Sequence, residues 1–243
     1  KIEVDDTIAQ LDPEQVLLGC YQAGEPAFCG QVQRAPSGAI TEIRALQTNT
    51  GSVLTDGFDA GINYVLTTDR FGQFAFDWQT TYLRNYKETV THFGNSGSEP
   101  IVTRRAGQEF GRLAGFPRFR SNFDVDWAFG NWSVDWLVRY ISDMSEQCSD
   151  RYDGTSLSLT NLDLCAYPNF ADNHLSRNKL GAATYHDVRA SYNFAAANTT
   201  VSFGVRNLFD KQPPVSMTAG SSFETTIYPI PGRFPYVSVE SRF

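Results

Sequence analysis

His186-Asp187 is the pair most suggestive of chemistry in this chain of 243 residues, because an imidazole beside a carboxylate is the core of many acid–base sites. Alternation removes it. Residues 182–194 read as a strand, in which His186 shares a side with Val188, Ala190 and Tyr192 while Asp187 points the other way. Neighbours on one strand cannot form a dyad through their own backbone, and no G-x-S-x-G elbow supplies a nucleophile. No catalytic residue is assigned, and the chain reads as a non-enzyme. His92 and His174 fall in loops and read as solvated.

Cysteine gives the second candidate chemistry. Cys20 with Cys29 and Cys148 with Cys165 form two pairs, each inside a long polar stretch. Neither pair has C-x-x-C spacing and no His lies at zinc-finger distance, so neither a metal site nor a cofactor is expected. Two loop disulfides imply an oxidising space such as a periplasm or cell surface. Each should close its loop at roughly 3 kcal/mol of denatured-state entropy.

A third group is a row of charges. By strand parity Arg118, Arg120, Asp124, Asp126, Asp135, Arg139, Asp187, Arg189, Arg206, Glu240 and Arg242 share one face. They read as a polar wall touching a passing solute, or as a ladder of cross-strand ion pairs keeping that face solvated. The loop aromatics Tyr152, Tyr167, Phe170, Phe223 and Tyr228 read equally as surface stacking platforms or as packing between loops.

The elements that carry these residues alternate strongly. Phe74, Phe76, Trp78 and Tyr82 interleave with Ala75, Asp77, Gln79 and Thr81. Phe123, Val125, Trp127 and Phe129 interleave with Asn122, Asp124, Asp126 and Ala128, and Trp132 to Tyr140 repeats the pattern beyond a Gly130-Asn131 hairpin signal. The final segment alternates too: Val237, Val239 and Phe243 oppose Ser238, Glu240 and Arg242. Carboxylates opposite large aromatics make a sheet with one polar and one aromatic face. A soluble sandwich would instead bury the row of Trp78, Trp127 and Trp136. The pattern fits an antiparallel transmembrane β-barrel with lipid outside and a polar lumen.

Composition agrees. Formal net charge is −7, aromatic content is 14% and mean hydropathy is −0.33. No apolar run nears the roughly 18 residues of a membrane helix, and no Lys/Arg block offers a nucleic-acid partner. About eight strands are expected, at 1–8, 39–66, 73–87, 117–129, 132–142, 182–194, 199–209 and the terminal 232–243, with a bulge or an extension beyond the membrane near 49–51. The connections alternate between long (9–38, 88–115, 143–179, 210–231) and short (67–72, 130–131, 195–198), as extracellular loops and periplasmic turns do. No helix-period segment stands out. Residues 1–5 lack a signal-peptide core, so the chain reads as a mature form or a fragment, with fragment favoured.

Asn207-Leu208-Phe209-Asp210 with Gly232-Arg233-Phe234 and the terminal Phe243 resembles the C-terminal end of TonB-dependent outer-membrane receptors. Asn49-Thr50-Gly51 ahead of Gly57-Phe58-Asp59 resembles a descending-strand pattern of that family, and Cys20-Tyr21 with Phe28-Cys29 resembles its loop cysteines. Ser241 departs from the pattern, which usually has an aromatic there. The resemblance implies a barrel of roughly twenty-two strands around an N-terminal plug. Residues 1–243 would then be its C-terminal third, without the plug. It further implies bacterial outer-membrane localisation, uptake of a scarce small solute (iron chelate, cofactor or oligosaccharide), and drive from a TonB-type energy-coupling protein. The remainder of the receptor, outer-membrane lipid and the barrel-assembly machinery would be its partners, the last reading Val237, Val239 and Phe243 as an assembly signal. The alternative is a self-contained eight-stranded barrel acting as adhesin or pore, marked by pairing of the first and last strands.

Overall fold

The structure is a computed structural model that describes residues 1–10, 13–94, 97–110, 114–147, 177–217, 222–230 and 232–242. The chain forms two compact units, 1–56 with 85–105, and 57–84 with 106–243.

In the first unit, β1 (Ile2–Gln10) pairs antiparallel with the start of β4 (Gln47–Thr68), from Ile2 opposite Thr55 to Gln10 opposite Gln47. The register shifts around Thr7 opposite Gly51, and Asp6 takes φ 55°, so the irregularity expected near 49–51 is present as a bulge. Between these strands lie α1 (Pro13–Tyr21), α2 (Pro26–Cys29) and a small hairpin, β2 (Val32–Arg34) with β3 (Ile40–Ile43).

Both helices correct the expectation that the long connection 9–38 holds no helical segment. They are nine and four residues long, too short to show a helical period. Pro13 and Glu14 suit the first turn of α1, where a missing N–H costs nothing and negative charge meets the dipole. Val16 and Cys20, four apart, share a face and pack on Phe28. The Cys20–Cys29 disulfide closes this pair of helices as expected. Cys148 and Cys165 lie outside the described residues. Reducing Cys20–Cys29 removes about 3 kcal/mol of loop-closure stabilisation. Amide exchange across α1 should then accelerate about a hundredfold on reduction, at about 1.4 kcal/mol per tenfold.

The strand expected over 39–66 is thus two elements, β3 and β4, separated at 44–46. The loop expected over 88–115 is also partly sheet. β5 (Gly72–Gly94) runs on to Gly94 and β6 (Gly97–Arg104) returns along it, with Lys87 opposite Arg104. Glu88 and Arg105 cap that pairing with an ion pair at 2.8 Å.

The second unit holds the remainder of the hairpin of β4 and β5, then β9 (Phe119–Phe129), β10 (Trp132–Ile141), β13 (Ala183–Phe194), β14 (Thr199–Arg206) and β15 (Phe234–Ser241), neighbours in that order. With β1 these make the eight antiparallel strands expected, and the long–short alternation of connections holds. The short turns are local in cause. Gly130 takes φ 59° as the first residue of the two-residue turn closed by Phe129 opposite Trp132. Thr68 Oγ1 accepts from the Phe71 amide and donates to the Gly72 carbonyl. Ala195–Ala197 form a single 3₁₀ turn ended by Asn198 at φ 46°. Among the described residues, β15 pairs with β14 on one side and its other edge has no strand partner.

A small second sheet, β12-β11-β7-β8, is built from the long connections: β7 (Gln108–Phe110), β8 (Ala114–Gly115), β11 (Met144–Gln147) and β12 (Arg177–Leu180). It was not expected, since pieces of two to four residues fall below any alternation window. Beside it lies the larger apolar cluster among the described residues, Ile141, Met144, Leu180, Ala183, Tyr185, Ile227 and Tyr228. This core forms where the long connections meet the ends of two wall strands, β10 supplying Ile141 and β13 supplying Ala183 and Tyr185.

Candidate functional site

The aromatic row faces outward. Trp136 is 42% exposed, Trp78, Phe123, Phe129, Trp132 and Phe203 are exposed and Trp127 is half-buried. Cross-strand register aligns them: Trp78 opposite Phe123, Phe74 opposite Trp127, and Val125 opposite Trp136. Among the described residues no core covers this row. Val237 and Val239 lie on the outer side of β15 and are exposed, and Phe243 is outside the described residues. His186 belongs to the same outer side, stacked on Trp136 at 5.8 Å and edge-on to Phe209 at 4.9 Å. Asp187 points to the other face. His186 and Asp187 thus lie on opposite faces of β13.

The inner face carries the charges. Asp126 of β9, Asp135 of β10 and Arg189 of β13 stand in one cross-strand row. Arg189 grips Asp135 through Nη2 at 2.8 Å and Nε at 3.2 Å. One step along, Arg139 donates to Asp187 Oδ2 at 2.8 Å, while Asp187 Oδ1 accepts the Asn207 amide at 2.8 Å. These pairs are the ladder that the sequence offered as the structural reading. Arg206 lies 5.7 Å over the Tyr236 ring, and Tyr236 stacks on Phe234. Asp124 Oδ1 is buried without a partner.

Asp124, Asp135, Arg139, Asp187, Arg189 and Arg206 line a cavity of about 760 Å³ that also reaches Asn207 and Arg233. That size suits a small molecule. A second hollow of about 590 Å³ lies along Asp59, Gln79, Thr81, Arg120 and Asn122. Parity thus gathers Arg139, Asp135, Asp187, Arg189 and Arg206 around one cavity and Arg120 in the other. Arg118 stands apart, its Nη1 donating to the Arg84 carbonyl. Glu240 and Arg242 pair with each other near the end of β15.

The loop aromatics behave differently from surface platforms. Tyr228 is 3% exposed within the apolar cluster and Phe223 packs against that cluster. Burial pushes the Tyr228 hydroxyl upward in pKa. Both residues pack connections together, because Ile227 and Tyr228 enter the space left beside Met144 and Leu180. Tyr152, Tyr167 and Phe170 lie outside the described residues.

Asn207 was read only as part of a motif, and its role is architectural. It takes φ 51°, which Asn tolerates better than most residues. Its Nδ2 donates to the carbonyls of Lys211 and Gly232, and its Oδ1 accepts from the Lys211 amide. The side chain therefore ties both ends of the connection 207–233 to the top of β14.

A cluster of carboxylates escaped the sequence reading. Glu109 of β7 and Glu146 of β11 are 2% and 1% exposed, and Glu224 is also buried. Ser216 Oγ lies 2.5 Å from both Glu109 Oε1 and Glu146 Oε2. Glu146 Oε1 further accepts from the Met217 amide at 2.7 Å and from Asn178 Nδ2 at 2.6 Å. Burial, followed by the charges of Glu146 and Glu224, raises the Glu109 carboxyl to about 7, against a hydrogen bond from Ser216 that lowers it. Among the described residues, no group of three His, Cys, Asp or Glu is arranged to hold a metal ion. No helix among them is long and apolar enough to cross a membrane.

The model of the family described as "TonB dependent receptor-like, beta-barrel" matches residues 1–208. No curated protein matches the chain. Among solved structures, the copper transporter OprC is similar at 14% identity and a TM-score of 0.35, over 80% of this chain. The chain spans 28% of the length of that structure.

Proposed function

Because the chain belongs to the TonB-dependent receptor-like β-barrel family, we propose that it forms part of the wall of an outer-membrane receptor that imports a scarce solute. It supplies the C-terminal part of the barrel, and the plug lies elsewhere in the receptor. The protein is a transporter and carries out no reaction on its cargo, which is a small solute of the iron-chelate, cofactor or oligosaccharide class. Its partners are the plug and the rest of the barrel, a TonB-type energy-coupling protein, outer-membrane lipid, and the barrel-assembly machinery acting on the terminal strand.

The observation that supports this reading best is the division of the strands into two faces. Aromatic side chains meet what lies outside, while paired Asp and Arg line a solute-sized cavity on the inside. A lumen wall needs polar groups that are already satisfied, since unpaired charges would hold a passing solute too tightly to release it. Arg139–Asp187 and Arg189–Asp135 are paired in this sense, although Arg139 Nε and Asp124 Oδ1 in the same lining are buried without a partner.

The test is uptake of a labelled panel, of ferric chelates, cobalamin and oligosaccharides, by cells with and without the full-length receptor. Accumulation of one class should require the receptor, and should vanish when the energy-coupling protein is deleted. Receptor-dependent entry that persists without coupling would assign the chain to a passive pore and overturn the reading.

A further inference from the structure

The Ser216 hydroxyl has one proton, yet it lies 2.5 Å from an oxygen of Glu109 and 2.5 Å from an oxygen of Glu146. Two ionised carboxylates cannot both be satisfied by it, so one carboxyl must bring a proton of its own. The surrounding bonds identify which. Glu146 accepts from Met217, Asn178 and Ser216, the arrangement of a carboxylate holding its charge. Glu109 Oε2 has no partner and is buried, the arrangement of a carboxyl that is neutral. The relay therefore runs from the Glu109 O–H to Ser216 Oγ, and from the Ser216 O–H to Glu146 Oε2.

The three residues come from separate parts of the chain. Glu109 is on β7, Glu146 on β11, and Ser216 in the connection between β14 and β15. The titratable groups facing Glu109 are Glu146 from β11, and Glu224 and Tyr228 from the connection. Arg120 and Asp143 act on Tyr228 in opposite senses. Asn178 arrives from β12, and β8 contributes only Ala114 and Gly115.

We propose that Glu109, Ser216 and Glu146 form a proton-operated latch, which pins the segment at Ser216 and Met217 onto the β7–β11 sheet while Glu109 is protonated and releases it when Glu109 ionises. The unpartnered Tyr228 hydroxyl, buried beside the cluster, adds no donor bond to compensate a charge on Glu109. The carboxyl's pKa is raised in the folded state, so its contribution is complete below the usual value of 4.5 and is lost as pH rises through about 7. No step of solute recognition is required for this latch, so its failure and the failure of the transport reading are separable.

The Met217 amide is a direct reporter, because its bond to Glu146 exists only while the connection is docked. Hydrogen exchange of the full-length receptor in lipid nanodiscs, corrected for the intrinsic rate, should show Met217 protection falling at least tenfold between pH 5.5 and 8.5. Glu109→Gln presents an amide N–H to Ser216 at every pH, so its protection should not change over that range. Ser216→Ala breaks the relay and should lower protection at both values. Equal wild-type protection at the two pH values overturns the latch, and this comparison stands even if neither variant folds. A Glu109→Gln receptor that follows the wild-type profile also overturns it. So does restoration of protection at pH 8.5 by millimolar calcium, which would make the occupant a cation.

Discussion

Asn207→Ala should destabilise the full-length receptor by about 4 kcal/mol. Three side-chain hydrogen bonds disappear, to the Lys211 carbonyl, the Lys211 amide and the Gly232 carbonyl. At about 1 kcal/mol net for each, they account for roughly 3. The residue is 4% exposed, so solvent does not replace them. Ala must also adopt φ 51°, a left-handed backbone that costs a Cβ-bearing residue without a polar side chain about 1 kcal/mol. Asn207→Gly separates the contributions, since Gly enters that region freely and should lose only about 3. Urea unfolding followed by heat-modified electrophoretic mobility measures both. Equal midpoints for the Ala and Gly variants would remove the backbone part, and a wild-type midpoint for both would remove the tie itself. The Asn207 amide also holds Asp187 Oδ1, so the loss of order should reach the Arg139–Asp187 pair in the cavity wall.

The wall strands were legible in the sequence because each of their residues answers to a two-residue period. Phe76, Trp78, Phe123 and Trp136 alternate with Asp77, Asp124 and Asp135, and register is fixed once one face must be apolar. The same period placed Asp187 inward and His186 outward. What sits on the wall was not legible. β7, β8, β11 and β12 are two to four residues long and pair across the sequence, so no local window holds their signal. The carboxylate cluster depends on Ser216, which is 107 residues from Glu109. Nothing near Glu109 says that it will be buried. Tyr228 shows the same limit: an aromatic in a polar stretch reads equally as a surface platform or as loop packing until the connection that carries it is seen to fold back on Met144 and Leu180. The one available signal for the cluster was negative, a long connection with Ile227 and Tyr228 adjacent, which a solvated loop has no need of.

The motif Gly57-Phe58-Asp59 yields the last expectation, because each of its residues meets something different. Phe58 is exposed on the outer side, and Asp59 accepts from Thr81 Oγ1 at 2.6 Å on the inner one. Gly57 faces β5 so closely that an added Cβ would lie well inside contact with the Tyr82 carbonyl oxygen, with Leu83 Cα at 3.3 Å. Both obstacles are backbone, so neither can rotate away. Gly57→Ala must spread the hairpin of β4 and β5, at a cost of about 3 kcal/mol, the upper part of the range for overpacking. Gly61 supplies the control on the same face of the same strand. Its Cβ would meet only the Trp78 carbonyl oxygen at 3.8 Å, an ordinary contact. Gly61→Ala should therefore raise stability, by up to about 1 kcal/mol, through the smaller entropy of its unfolded chain. Refolding of the full-length receptor from urea into detergent micelles reads both variants. A loss at Gly57 with a gain at Gly61 assigns the glycine of the motif to close approach between strands. A loss of equal size at both positions would instead assign it to strand propensity, and the motif would then carry no information about the packing of β4 against β5.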